Sequence, residues 1–264
     1  MPARPIAFMV GLTAAVAAVP ASAQVTGTDR WADSVRREIE VASSAGDERR
    51  LAAAVALAER ALAVTPNEPW LVYYRALGLY RSAGVQLGQQ RTKEAKQGLD
   101  EADRILEALN DRQPSTEALA LHGAVLGQLI AVSGSQMIAG MRLGPKSGRL
   151  VDRAMELAPD NPRVWLIRGQ SALHTPAMFG GGVDKALRDF RRSIELFATP
   201  TSPPPPLPDW GRVDAYIWLG QALERGENWE EAKAAYLEAL ELSPAHPWVT
   251  QVLLPQLERR TSSP

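Results

Sequence analysis

Cysteine is absent from the 264 residues. That excludes a disulfide framework, cysteine-ligated zinc, iron–sulfur clusters, a thiol nucleophile and a lipid-modified cysteine near the start. Histidine is nearly absent: His122, His174 and His246 stand far apart, off metal-ligand spacing, and no H-E-x-x-H occurs. An excess of one charge is missing too. With 29 Lys and Arg against 30 Asp and Glu, the net charge is −1, too balanced for a protein that tracks nucleic-acid phosphates. Nucleophile motifs are wanting: "VSGSQ" at 132–136 lacks the strand–turn–helix setting that G-x-S-x-G needs. Acidic pairs such as Glu230–Glu231 and Glu38/Glu40 read as solvated helix faces, with no cleft to separate them for hydrolysis. These absences predict a protein with no catalytic residue, no metal and no cofactor: not an enzyme.

No segment after the start is long and apolar enough to span a membrane. "MPAR" supplies a positive n-region, "IAFMVGLTAAVAAV" (6–19) an apolar stretch, and "PASA" before Gln24 the small residues of a cleavage site. A membrane anchor is the other reading, but this run of about 14 residues falls short of the roughly 20 that a spanning helix needs. The expectation is a cleavable signal at 1–23, a helical domain at 24–260, a short tail at 261–264, and a periplasmic protein that does not span the membrane.

What the sequence does have is repetition. "VTPNEPW" (64–70), "LAPDNPRVW" (157–165) and "LSPAHPW" (242–248) each join an apolar helical run, a proline, polar residues, a second proline and a tryptophan. The first proline stops one helix, and the second suits the first turn of the next. The clearest unit is "DAYIWLGQALERGENWEEAKAAYLEALELSP" (214–244). Tyr216, Leu219, Gly220 and Leu223 share one helical face, and Ala232, Tyr236, Ala239 and Leu240 share another. "ERGENW" reads as the turn, with Gly226 able to take the left-handed conformation.

This pattern resembles the tetratricopeptide repeat, a 34-residue helical hairpin with W-x2-L-G-x2-Y…A-x3-F…P. Here Tyr216, Leu219, Gly220, Ala232, Tyr236 and Pro244 stand at its spacing, and Leu223 replaces the second aromatic. Degraded copies lie upstream: Trp165 and Gly169 with Ala186 and Phe190; "EALALHGAVLGQLIAV" with "SGRLVDRAMELAP"; Tyr74, Leu77 and Gly78 with Ala102; and "RWADSVRREIEVASSAG" with "RLAAAVALAERALAVTP". The resemblance implies an all-α, right-handed α-solenoid of about five hairpins. Insertions inside the hairpins lengthen the middle repeats.

By the same resemblance the function is binding of a protein or peptide partner in a concave groove lined by first helices. Counting from the glycines, the groove face carries Arg75, Leu79, Gln128, Arg163, Leu166, Gln170, His174, Ile217, Gln221 and Arg225, whose amides and guanidiniums suit peptide backbone and carboxylate. The alternative is that these are solvated helix faces. Helix 117–132 is apolar nearly all round and is expected to be buried on every side. Met137, Ile138, Met141 and Leu143, in "SGSQMIAGMRLGPKSG" (133–148), read first as core and second as a ligand or subunit contact. In "HTPAMFGGGVDKAL" (174–187), Met178 and Phe179 are expected to pack over the hairpin, and an anion site on the glycines is the weaker reading.

That loop is similar to one in the T-component of tripartite periplasmic transporters. The likeness implies an accessory protein holding a small, partly apolar ligand near Met137, Met141, Met178 and Phe179 in an oligomeric pore or pocket. Oligomeric state is left open. Finally, "ATPTSPPPPLPDWGR" (198–212) reads as a stiff polyproline spacer between hairpins rather than a docking ligand.

Overall fold

The computed structural model describes residues 27–199 and 203–261; the expected signal at 1–23 and residues 262–264 lie outside them. Among the described residues there are eleven α-helices and no strand. They form five antiparallel hairpins: α1 (Gly27–Ala45) with α2 (Glu48–Val64), α3 (Pro69–Gly88) with α4 (Thr92–Arg112), α5 (Thr116–Ala131) with α6 (Gln136–Leu157), α7 (Pro162–His174) with α8 (Val183–Phe197), and α9 (Arg212–Arg225) with α10 (Trp229–Leu242). A π-helical turn, Val249–Leu253, and α11 (Leu254–Thr261) cover the last hairpin. Each first helix also packs on the preceding hairpin, so the hairpins stack as a solenoid. None of these helices is long and apolar enough to cross a membrane.

The repeated connectors act as the sequence implied. Pro69 and Pro162 occupy the first turns of α3 and α7. Before them, the Glu68 carboxylate accepts from the Leu71 N–H at 2.6 Å, and the Asn161 amide oxygen accepts from the Arg163 N–H at 3.0 Å. These side chains satisfy donors that a helix start leaves free. Trp70 and Trp165 remain half-buried, and Trp248 is exposed. Trp70 meets Tyr73 edge-on, and Trp248 meets Trp218 edge-on.

Small residues set the approach of paired helices. A Cβ on Gly169 would stand 2.5 Å from the Phe190 ring, one on Gly220 2.4 Å from the Tyr236 ring, and one on Gly123 2.6 Å from Val151. Gly78 differs. Its neighbours are Val55 of α2 and Ile39 of α1, not its own partner α4. α3 is therefore rotated relative to the other first helices.

The insertions do lengthen the middle repeats, and they do so as helix. Residues 136–157 form one helix, α6, with Pro145 inside it; Ser135 caps it, and the Ser147 hydroxyl donates to the Gly123 carbonyl at 2.9 Å. Other expectations need correction. The left-handed residue of the last turn is Glu227 (φ 59°), while Gly226 has φ −88°. Met137, Ile138, Met141, Met178 and Phe179 are not core: they are between 65 and 83 % exposed. α5 meets the expectation over its first part only: it is buried without a break from Glu117 to Leu126, whereas Gly127 and Ala131 are exposed.

Gly169→Ala forces a methyl into the Phe190 ring and is expected to cost about 1–3 kcal/mol. Gly127→Ala, in open space on the exposed side of α5, is expected to gain about 0.5–1 kcal/mol. Thermal melts of the two variants check the contrast; a neutral Gly169→Ala would mean the pair is more loosely packed.

Candidate binding face: an inner surface filled by the proline segment

The first helices converge on one inner face, and residues 203–211 lie against it. This segment is not the straight spacer expected. Leu207 N–H donates to the Pro204 carbonyl at 3.0 Å, closing a turn, and the chain then runs back over α1, α3 and α7. Tyr74 donates its hydroxyl to the Pro206 carbonyl at 2.5 Å. The Trp210 indole N–H donates to the Tyr73 hydroxyl at 2.9 Å, and Arg163 donates to the Trp210 carbonyl at 3.4 Å. Arg36 reaches Asp209 at 2.5 Å. Arg81 stacks over the Trp210 ring at 4.9 Å and holds Asp214 with two bonds, at 2.6 and 2.8 Å. Trp210 packs on both hydrophobic cores, that of hairpins one to three with Val164 and Ile167 of α7, and that of hairpins four and five.

Two titrating groups meet here, Glu40 of α1 beneath the strap and Asp209 on it. Burial, together with the hydrogen bond and negative charge of Asp209, pushes the Glu40 carboxyl up to about 8 against the pull of Arg36. Burial would raise Asp209 as well, but its bonds to Glu40 and Arg36 hold it below the ordinary carboxylate range. The pair thus shares one proton, with Arg36 neutralising the remaining charge. Burial likewise opposes ionisation of Asp214, and Arg81 outweighs it, so that carboxyl also stays low.

The predicted groove residues divide. Arg163 does belong to the inner face, but it is buried and held by Glu117 at 2.8 Å through two nitrogens; it is not a free donor. Leu166 touches the strap at Gly211. Arg75 faces the other way, toward the second helices, bonded to Glu59 at 3.1 Å and Glu101 at 2.5 Å. The cause is the rotation of α3: counting from Gly78 picks out the face toward α2 and α4. There Arg75 edges a shallow cleft of about 420 Å³ with Leu62, Val72, Ile105, Arg104 and Arg112.

Arg225 donates to the Leu173 carbonyl at 2.6 Å and approaches His174 at 3.4 Å; His174 in turn meets Trp218 edge-on. Gln170 is half-buried. Gln128 and Gln221 each bury a side-chain polar atom without a protein partner. The apolar alternative is divided between two hairpins: Met137 and Met141 begin α6, and Met178 and Phe179 lie in the α7–α8 turn, on the same edge of the solenoid. The glycine loop offers no free N–H groups, because Gly180, Gly181 and Gly182 donate to Ala177, Pro176 and Ala172. All three histidines are held toward the neutral form, chiefly by burial. His122 spends both ring nitrogens, on Asp103 at 2.7 Å and Asn110 at 3.2 Å.

Residues 213–246 match the tetratricopeptide repeat. The fold is a tetratricopeptide-type α-solenoid. Among solved structures, the HusA haemophore from Porphyromonas gingivalis is 27% identical with a TM-score of 0.61, over 76% of this chain and 96% of that one. A thermophilic tetratricopeptide protein from Thermus thermophilus is 19% identical with a TM-score of 0.56, over 88% of this chain and 96% of that one. No curated protein matches the sequence. The solenoid differs from an open groove in one respect: its inner face is already filled.

Arg81 escapes a sequence reading because it lies outside the repeat signature, and Trp210 because "LPDW" merges with the proline run.

Arg81→Met strands Asp214 and is expected to cost about 3 kcal/mol, at the low end for breaking a buried pair. Arg81→Met/Asp214→Leu is expected to recover most of that in urea unfolding; a double variant no better than the single would show that Arg81 acts mainly through Trp210. A second prediction concerns pH. An unfolded Glu40 ionises near its ordinary value of 4.5, whereas in the fold it keeps its proton to about 8. The folded state then binds more protons in that window, so stability falls as pH rises through it. Melting temperatures from pH 5 to 9 are expected to show this slope in the natural chain and to lose it in Glu40→Gln; an unchanged slope assigns it elsewhere.

Proposed function

We propose that this chain is an exported, non-catalytic binding protein that holds a protein or peptide partner on the face built by its first helices. A tetratricopeptide-type fold supports a protein-binding scaffold in general. The observation that carries the finer reading is the strap: the inner face already grips a peptide through the Tyr74, Tyr73, Arg163 and Arg36 side chains. The groups recognised are two backbone carbonyls, an indole and a carboxylate, which any partner segment can present. Export rests on the basic, apolar and small-residue order of 1–23, and places the partner in the periplasm.

A second reading has its own support. The HusA chain, of similar fold, is described as a haemophore, and here Met137, Met141, Met178 and Phe179 leave an apolar edge uncovered. A small, partly apolar ligand docked on that edge, the class implied by the T-component likeness, is the competing assignment.

Fractionation with intact mass is expected to find the protein in the periplasm beginning at Gln24; a full-length cytoplasmic mass would end the export assignment. Tagged protein recovered from that fraction is expected to bring a partner that Tyr74→Phe/Arg36→Gln loses and Met137→Ser/Met178→Ser retains. Haemin titration followed at its Soret band tests the competitor: saturable binding abolished by the Met137→Ser/Met178→Ser variant would favour the apolar edge over the inner face.

A further inference from the structure

The strap binds the inner face as a foreign peptide would. Apart from Arg81 on Asp214, its contacts run from host side chains to a Pro206 carbonyl, a Trp210 carbonyl, an Asp209 carboxylate and the Trp210 indole. Each of these groups can be supplied in trans. The rest of the segment is lightly held. Pro204, Pro205, Leu207 and Asp209 are exposed on the far side, and only Pro208 and Gly211 are buried. Neither hydrophobic core contains any residue from 203 to 209. Tyr73, Tyr74, Leu71 and Leu77 belong to the core shared with α1, α2 and α4. The strap therefore lies on side chains that also pack with those helices.

Its chemistry specifies what else fits there. A proline turn brings one carbonyl to Tyr74. A carboxylate two residues beyond a leucine-like position meets Arg36. An indole in the next position enters between Tyr73 and Arg81, where a cation faces a ring and a hydroxyl accepts its N–H. We infer that residues 203–210 are a built-in competitor: they occlude the binding face, and the partner that displaces them carries a proline-turn segment ending in an acidic residue followed by an aromatic one. This inference rests on the reading that the inner face is the binding face, and it adds the partner's chemistry and the means by which access is controlled.

The absence of natural cysteine makes the strap separately controllable. In Glu40→Cys/Asp209→Cys, a bimane bridge between the two thiols pins the strap to α1, and methylating both thiols instead leaves it without its link to Arg36. The probe is a fluorescein-labelled nonapeptide copying residues 203–211, followed by anisotropy. The methylated form is expected to bind it at least tenfold more tightly than the bridged form. A peptide with Asn for the aspartate and Ala for the tryptophan is expected to lose at least tenfold of that affinity. Equal affinity in the two forms, or indifference to the peptide's aspartate and tryptophan, overturns the inference. So does loss of the helical circular-dichroism signal on methylation, because a segment the fold cannot release is a brace and not a competitor. The same pair of proteins separates this inference from the reading beneath it. If the bridged form still recovers the periplasmic partner, the competitor falls and the binding protein stands; if neither form recovers one, the inner face loses its assignment.

Discussion

Arg81 is the residue on which the closed arrangement depends. It leaves α3, lies over the Trp210 ring and ends on both oxygens of Asp214 in α9. One side chain thus ties the second hairpin to the connector and to the fifth hairpin, 133 residues away. A buried ion pair adds little net stability over an apolar substitute, because desolvation consumes most of the attraction. Its effect is to select. Any arrangement that leaves Arg81 or Asp214 in the interior alone is heavily penalised, so the two ends of the solenoid have one acceptable meeting. Gly46 in the first hairpin's turn, whose Cβ would be 3.5 Å from Pro247, marks a second contact of that closure.

The closure follows from how the hairpins are built. Solenoids grow by burying each hairpin's apolar faces against its neighbours, and the local geometry is set by which small residue faces which ring. In hairpins four and five, Gly169 and Gly220 admit Phe190 and Tyr236 of their own second helices. In hairpin two, Gly78 admits Val55 of the hairpin before it. The same two letters, Leu-Gly, therefore orient α3 differently. Tyr73, Tyr74 and Arg81 turn inward, and Arg75 turns out to Glu59 and Glu101.

That difference explains what can be read from the sequence and what cannot. Helix number, hairpin pairing, proline junctions and the buried α5 rest on local periodicity and capping, which neighbouring residues encode. Register in α7 is also legible, since Arg163 and Leu166 do meet the strap. In α3 the count fails because it assumes that a glycine faces its own partner helix, and sequence spacing carries no information on which of two neighbours a glycine admits. The strap is hidden for a related reason. A proline run specifies backbone stiffness, not destination; its course is set by Tyr74, Arg36 and Arg81, more than a hundred residues earlier. Hydrophobicity alone sends Met137 and Phe179 inside, but each sits at a hairpin turn on the edge of the solenoid, where it stays exposed.

A filled inner face also changes what selection can act on. In an open solenoid, affinity for a partner depends on the groove residues alone. On the proposed reading, a partner meets a protein that has already satisfied those residues, so only the difference between its fit and the strap's is available as binding energy. The same reading implies that weak, generic peptides are rejected, because they offer less than Asp209 and Trp210 already supply in cis at high effective concentration. The shared proton of Glu40 and Asp209 sets how firmly the strap is held. With Glu40 neutral, Arg36 faces a single carboxylate charge; once Glu40 ionises, two negative charges compete for one guanidinium, and the strap's hold weakens. On the proposed reading, access to the face is thereby coupled to proton binding at α1.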